Sequence, residues 1–224
     1  MLGIGVLASG RGTNLQCVID ALESGLLEGV SLDLVISDRP GAKALERARA
    51  QGIEALVIDK KGFERREEFD EAIRSELQKR GVGLVVLAGF MRVLGPTFVD
   101  AFAGKIINIH PSLLPAFTGL HVHERVIEAG VRFSGCTVHF VDKGLDTGPI
   151  IIQAVVPVLC TDTPETLAAR VLREEHRILP QAIDLFAKGR LRIEGRRVIV
   201  RGQDMALEGS VLENPPVRLL GGAS

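Results

Sequence analysis

An amide, an imidazole and a carboxylate stand in two short frames, Asn108-Ile109-His110-Pro111-Ser112-Leu113-Leu114-Pro115 and Gly144-Leu145-Asp146-Thr147-Gly148-Pro149. These three types suit a site that stabilises an oxyanion while moving a proton. Asn108 offers N–H donors to a developing oxyanion. His110 donates to the same oxygen and, when protonated, stabilises it further. Asp146 favours the protonated ring or, with a water, accepts the nucleophile's proton.

Positioning such a trio needs a strand that ends at the site. Gly104 to His110 reads as a short buried strand, and side chains alternate along a strand, so Asn108 and His110 emerge on one side with Ile109 opposite. Pro111 lacks the N–H for a further ladder bond and holds His110 extended, so the strand ends there. Apolar runs of strand length at 2–8, 32–37, 55–59, 83–88 and 105–109 alternate with helical patterns near 14–24, 42–51, 64–80 and 96–102. This alternation predicts an α/β fold, a mostly parallel central sheet with helices on both faces. A helix near 122–129, two strands around Gly135–Val141 and Pro149–Val156, and Asp146 in the loop between them predict an antiparallel C-terminal extension. Thr163-Pro164-Glu165 opens a long amphipathic helix to about Lys188, with Thr163 as N-cap. Residues 1–201 are expected to form a single catalytic domain, and 202–224 a loosely attached tail rich in Gly and Pro.

The first β-to-α turn, Ser9-Gly10-Arg11-Gly12-Thr13-Asn14-Leu15, has free amides at a helix start. It fits a single phosphate held by Gly12, Thr13 and Asn14, or a plain turn capped by Thr13 or Asn14. It lacks the third glycine of a dinucleotide fingerprint and the Gly-Lys pair of a P-loop. Asp38 is therefore expected to be a surface turn acid rather than a ribose ligand. His121-Val122-His123 with His139 admits a zinc site, but a surface helix start is favoured. Ser112 lacks a nucleophile elbow. Glu174-Glu175-His176 reads as a solvated face from which one carboxylate could reach a substrate amine.

The 224 residues hold 27 basic and 28 acidic side chains, a net charge of -1 that gives no footprint for nucleic acid or membrane. Cys17, Cys136 and Cys160 lack metal or redox spacing and read as reduced core residues, which favours the cytoplasm. The apolar stretch from Leu2 to Ala8 is too short to span a bilayer.

With Leu87-Ala88-Gly89-Phe90-Met91-Arg92-Val93-Leu94 and Asp142 to Pro149 added, four ordered motifs between Ile4 and about Gly195 closely resemble the phosphoribosylglycinamide formyltransferases, folate-dependent enzymes of purine synthesis. The resemblance implies a formyltransferase-type, Rossmann-like fold and 10-formyltetrahydrofolate as co-substrate. It implies a catalytic trio of Asn108, His110 and Asp146. Gly12, Thr13 and Asn14 would hold the ribonucleotide phosphate, with Glu175 near its ribose and glycinamide end. Met91, Arg92, Val93 and Leu94 would hold the pterin, with Val141 and Gly144 in the loop closing over it and Arg66 near the glutamate tail. Ala116-Phe117-Thr118-Gly119 departs from relatives that carry a lysine there, which weakens any phosphate contact by that loop.

Formyl transfer requires neither a metal nor a covalent enzyme intermediate, because positioning and oxyanion stabilisation suffice. The expected partners are small-molecule substrates, in a monomer or homodimer, without nucleic acid or membrane. A formyltetrahydrofolate deformylase would be expected to carry an N-terminal regulatory domain, and a methionyl-tRNA formyltransferase a C-terminal nucleic-acid-binding domain. Neither fits 224 residues in which the catalytic pattern starts at once. A non-catalytic nucleotide-binding module would leave the trio without a use, and the incomplete glycine fingerprint disfavours an NAD-dependent oxidoreductase.

Overall fold

The computed structural model describes residues 1–202. Five strands, β1 (Leu2–Leu7), β2 (Val30–Ser37), β3 (Ala55–Val57), β4 (Leu84–Leu87) and β5 (Ile106–His110), run parallel in the order β3-β2-β1-β4-β5. Between them lie α1 (Thr13–Glu23), α2 (Lys43–Ala50), α3 (Arg66–Lys79) and α4 (Pro96–Ala101). The apolar runs form strands because both sheet faces are covered, so each side chain along the run finds a core. In β1, Ile4 and Val6 pack with Leu15 and Val18 of α1, while Leu7 packs with Phe69 and Ile73 of α3 on the other face. Full burial of one such side chain stabilises by about 1.5–3 kcal/mol.

The antiparallel extension follows: α5 (Val122–Glu128), then β6 (Phe133–Phe140) against β5 and β7 (Ile150–Pro157) against β6. The long helix α6 (Pro164–Ala187) starts where the Thr163 hydroxyl accepts from the Thr166 N–H at 3.4 Å, with Pro164 in its first turn. Its buried face, including Leu167, Val171, Ile178, Leu179 and Ile183, joins the cluster that α1 covers.

Two elements depart from expectation. The strand expected over 55–59 stops at Val57, because the Asp59 carboxylate accepts from the Lys61 N–H at 2.9 Å and starts a 3-10 turn at Lys60–Gly62. After α6, where no strand was expected, β8 (Leu191–Glu194) and β9 (Arg197–Val200) form a hairpin about Gly195 (φ 59°). β9 then pairs in parallel with β7, completing a nine-stranded sheet. Both strands are only four residues long, β8 is largely exposed, and the Val198-Ile199-Val200 run of β9 is half-buried and shorter than the runs that mark most of the others. Of the expected tail, everything past Gly202 lies outside the described residues.

The cysteines divide. Cys17 and Cys136 are core residues, but Cys160 is exposed. Burial pushes both core thiols up to about 12, with nearby carboxylates adding to the effect. Thiolates are the reactive form, so iodoacetamide on the folded protein at pH 8 is expected to label Cys160 and spare the other two. Peptide mass mapping checks this, and equal labelling of all three would contradict it.

The order β3-β2-β1-β4-β5 turns back between β1 and β4, and ligands of open α/β sheets bind at the carboxyl ends beside such a reversal. The loops leaving β1 and β4 meet there. Ser9 donates its N–H to Gly89 O at 3.1 Å, and its Oγ accepts from the Met91 N–H at 2.9 Å.

Candidate active site

β5 places the first two candidates next to that crevice. Ile107 and Ile109 join the cluster beneath α1 and α6, so alternation turns Asn108 and His110 to the opposite face. β6 runs antiparallel alongside, and its register sets His139 across from Asn108 and Thr137 across from His110. Asn108 Nδ2 lies 3.1 Å from His139 Nε2. His139, buried to 1% exposure, has its Nδ1 2.8 Å from the Phe140 carbonyl. Burial holds the His139 pKa below the usual imidazole range, against the opposing effects of that hydrogen bond and the Asp146 charge.

Asp146 arrives on the loop between β6 and β7 in the left-handed region (φ 55°), which Asp adopts more readily than most residues. Its Oδ2 accepts the Gly119 N–H at 2.8 Å and lies 3.4 Å from His110 Nδ1, while its Oδ1 lies 3.8 Å from His139 Nε2. The trio therefore converges, with His139 joining Asn108 to the other two. His110 donates its Nε2–H to the Phe117 carbonyl at 2.9 Å. The ring thus faces an acceptor at each nitrogen.

The 116–119 loop acts on the site through its backbone. Phe117 O holds His110, Gly119 N holds Asp146, and Thr118 O accepts from Arg125. Small or neutral side chains suffice there. The loop is anchored below by Thr137, whose Oγ1 donates to Ser112 O at 2.7 Å and accepts from Leu114 N and Gln153 Nε2. Ser112 is fully buried and donates to Ala116 O at 2.6 Å.

The first glycine turn is tightly packed. Gly12 is the N-cap of α1 at φ 70°, and a Cβ there would lie 2.7 Å from Ala44 Cα. Among the described residues no side chain caps this helix, so the reading of Thr13 or Asn14 as a plain cap does not hold. Asn14 instead turns inward and donates its Nδ2–H to Glu175 Oε2 at 2.8 Å, leaving its own Oδ1 buried without a partner among the described residues. Glu175 is 7% exposed, a correction to the solvated face expected for 174–176. Glu174 does remain outward, bonded to Arg177. Burial raises the Glu175 carboxyl pKa, and the Asn14 hydrogen bond opposes that rise.

On the loop after β4, Phe90 and Leu94 are buried while Met91 and Val93 are 54% and 53% exposed, presenting apolar surface to solvent. Arg66 donates to the Val93 carbonyl and pairs with Asp70 at 3.6 Å, and Asp70 accepts the Gly95 N–H at 2.7 Å. Arg92 donates to Asp38 Oδ2 at 2.8 Å. Asp38 is only 3% exposed, so it is not the surface turn acid that was expected. A residue type cannot reveal that a later loop folds back over it. In the loop after β6, Val141 donates its N–H to Ile106 O, and Gly144 N and Thr147 Oγ1 both donate to Asp142 Oδ1.

Of the residues imagined as a zinc site, His121 is exposed at the α5 N-cap, His123 is half-buried, and His139 is committed to Asn108. His139 is the residue that reading by type missed. Its signal lies in strand parity: like Asn108 it alternates with core positions, here Val138 and Phe140.

Residues 3–183 match the family model of the formyl transferases. The chain is 42% identical over 208 residues to the phosphoribosylglycinamide formyltransferase of Escherichia coli, covering 93% of this chain and 98% of that protein. It is 47% identical over 188 residues to the trifunctional purine biosynthetic protein adenosine-3 of Drosophila melanogaster, covering 83% of this chain but spanning only 14% of that protein's length. Among solved structures, glycinamide ribonucleotide transformylase 1 from Symbiobacterium toebii matches with a TM-score of 0.88 at 54% identity, over 89% of this chain and 94% of that one. A family match over most of the chain, with a relative matched along nearly its whole length, leaves one assignment: the chain belongs to the formyl transferase family.

Proposed function

We propose that this chain transfers the formyl group of 10-formyltetrahydrofolate to the glycinamide amine of 5′-phosphoribosylglycinamide, a step of purine synthesis in the cytoplasm. The observation that carries the reading is the Asp146 carboxylate lying 3.4 Å from His110 and 3.8 Å from the His139 that bonds Asn108. Among the described residues no helix is long and apolar enough to cross a membrane. The hairpin to Val200 joins the same sheet as the trio, which supports one catalytic domain over residues 1–201.

The formyl donor supplies an amide-like carbon open to attack by an uncharged amine. Asn108 and His110 Nδ1–H donate to the oxyanion that develops on its oxygen, and fixed donors need no reorganisation as charge builds. Asp146 takes the proton of the attacking amine, directly or through a water, and His110 is placed to pass a proton to the departing nitrogen. Met91 and Val93 offer apolar surface to the flat pterin, with Arg92 and Leu94 fixing that segment and Val141 and Gly144 closing beside it. Arg66, 46% exposed at its side chain, faces the glutamate tail. On the other side, Gly12, Thr13 and Asn14 hold the phosphate at the α1 N-terminus. Glu175 and the unpartnered Asn14 Oδ1 fit the donors of a ribose and an amine.

Supplying 10-formyltetrahydrofolate with and without the ribonucleotide, and identifying both products, tests the reading. Formylated ribonucleotide is expected. Formate released to water would indicate a hydrolase, and binding without turnover a non-catalytic module. Asn14→Ala is expected to raise KM for the ribonucleotide at least about tenfold, a loss of about 1.4 kcal/mol, with little change in KM for the folate. Equal affinity of the unmodified enzyme for a dephosphorylated acceptor would remove the phosphate from the first loop.

A further inference from the structure

We infer that His139 is a positioning residue for formyl transfer, fixing which edge of the Asn108 carboxamide faces the reacting carbonyl. The inference rests on the proposed reading of Asn108 as an oxyanion donor. Its steps follow from hydrogen-bond chemistry. A carbonyl oxygen only accepts, so the 2.8 Å contact with Phe140 O places the proton of the His139 ring on Nδ1. The ring is buried to 1% exposure, and desolvation favours its neutral form. Nε2 therefore presents a lone pair, and the group 3.1 Å away must be a donor. Only the NH2 edge of Asn108 fits. A flipped amide would set its oxygen against that lone pair, two acceptors at hydrogen-bond distance with no proton between them.

One N–H of Asn108 is thus spent on His139 and the other is held free with a defined direction. Without that lock the amide has no reason to prefer this edge, and the flipped form would turn an oxygen toward a developing negative charge. Asp146 Oδ1, 3.8 Å from Nε2, is the competing neighbour through which His139 could act instead. The experiment must separate these two routes.

His139→Met, which keeps bulk but no acceptor, is expected to lower kcat by about 10²-fold, the scale of one lost oxyanion donor, with KM for both substrates within about threefold. His139→Gln, whose amide oxygen reaches the place of Nε2, is expected to recover about tenfold over Met at an equal Tm. In an Asn108→Ala background His139→Met should cost less than about threefold, because the two act as one unit. Equal cost in both backgrounds, or no advantage of Gln over Met, would overturn the inference. Nitrogen NMR of the unmodified protein reads the tautomer without any turnover. Protonation at Nδ1 supports the lock and protonation at Nε2 overturns it, so failure here is distinct from absence of formyl transfer in the wild-type assay.

Discussion

Asp146→Asn is expected to lower kcat by about 10³-fold, the middle of the range for loss of one general acid–base group, while the protein stays folded. Asp146 occupies the left-handed region at φ 55°, which Asn tolerates as readily as Asp. An amide oxygen can still accept the Gly119 N–H that Oδ2 now receives at 2.8 Å. What disappears is the charge facing His110 Nδ1 at 3.4 Å and, with it, the carboxylate proposed above as acceptor of the amine's proton. The expected Tm shift is within about 4 °C, corresponding to about 1 kcal/mol. Single-turnover kinetics beside a thermal melt checks both parts. A variant turning over at the wild-type rate would remove Asp146 from the chemistry, and one that fails to fold would show a structural role instead.

Gly148→Ala is expected to do the opposite, damaging the fold first and activity as a consequence. An added Cβ would lie 1.8 Å from the Phe140 carbonyl oxygen and 2.8 Å from its carbon, both backbone atoms. These atoms cannot rotate aside, so the strands flanking the Asp146 loop must part. That same carbonyl accepts from His139, and Phe140 N donates to Pro149 O at 2.9 Å. Moving it disturbs His139, Asn108 and Asp146 together. A loss of about 3 kcal/mol is expected for such overpacking, lowering Tm by roughly 6–12 °C, with reduced kcat below the melt. Gly41, with nothing within 4 Å of its added Cβ and no positive φ, serves as the control, and its Ala variant should melt like the parent. A Gly148→Ala protein as stable as that control would show that the crossing yields where it is expected to resist.

Much of the scaffold was legible because its signals are local. Strands covered on both faces read as apolar runs, unbroken in β4 and interrupted in β5 only by Asn108 before His110 ends it, which is why β1, β4 and β5 stood out. Thr163-Pro164 marked the start of α6 for the same kind of reason, since a hydroxyl cap and a first-turn proline act within a few residues. The terminal hairpin was not legible. Its strands are only four residues long, β8 is largely exposed, and β9 is held by the pairing of Arg197 with Ile150 far earlier in the chain, a contact no local pattern records. Asp38 was misread for a related reason. Its carboxylate is bonded by Arg92, which arrives on the loop after β4.

Sequence alone determined the parity of Asn108 and His110 on β5, because alternation along a strand is a property of the backbone. Only the tertiary structure decided their partners. The register of β6 against β5 chose His139 for Asn108, and the 116–119 loop contributed a carbonyl and an N–H whose donors and acceptors belong to every residue alike. Backbone groups have no residue-type signature, and strand register is set by long-range packing. The orientation of this site therefore becomes visible only once the chain is folded.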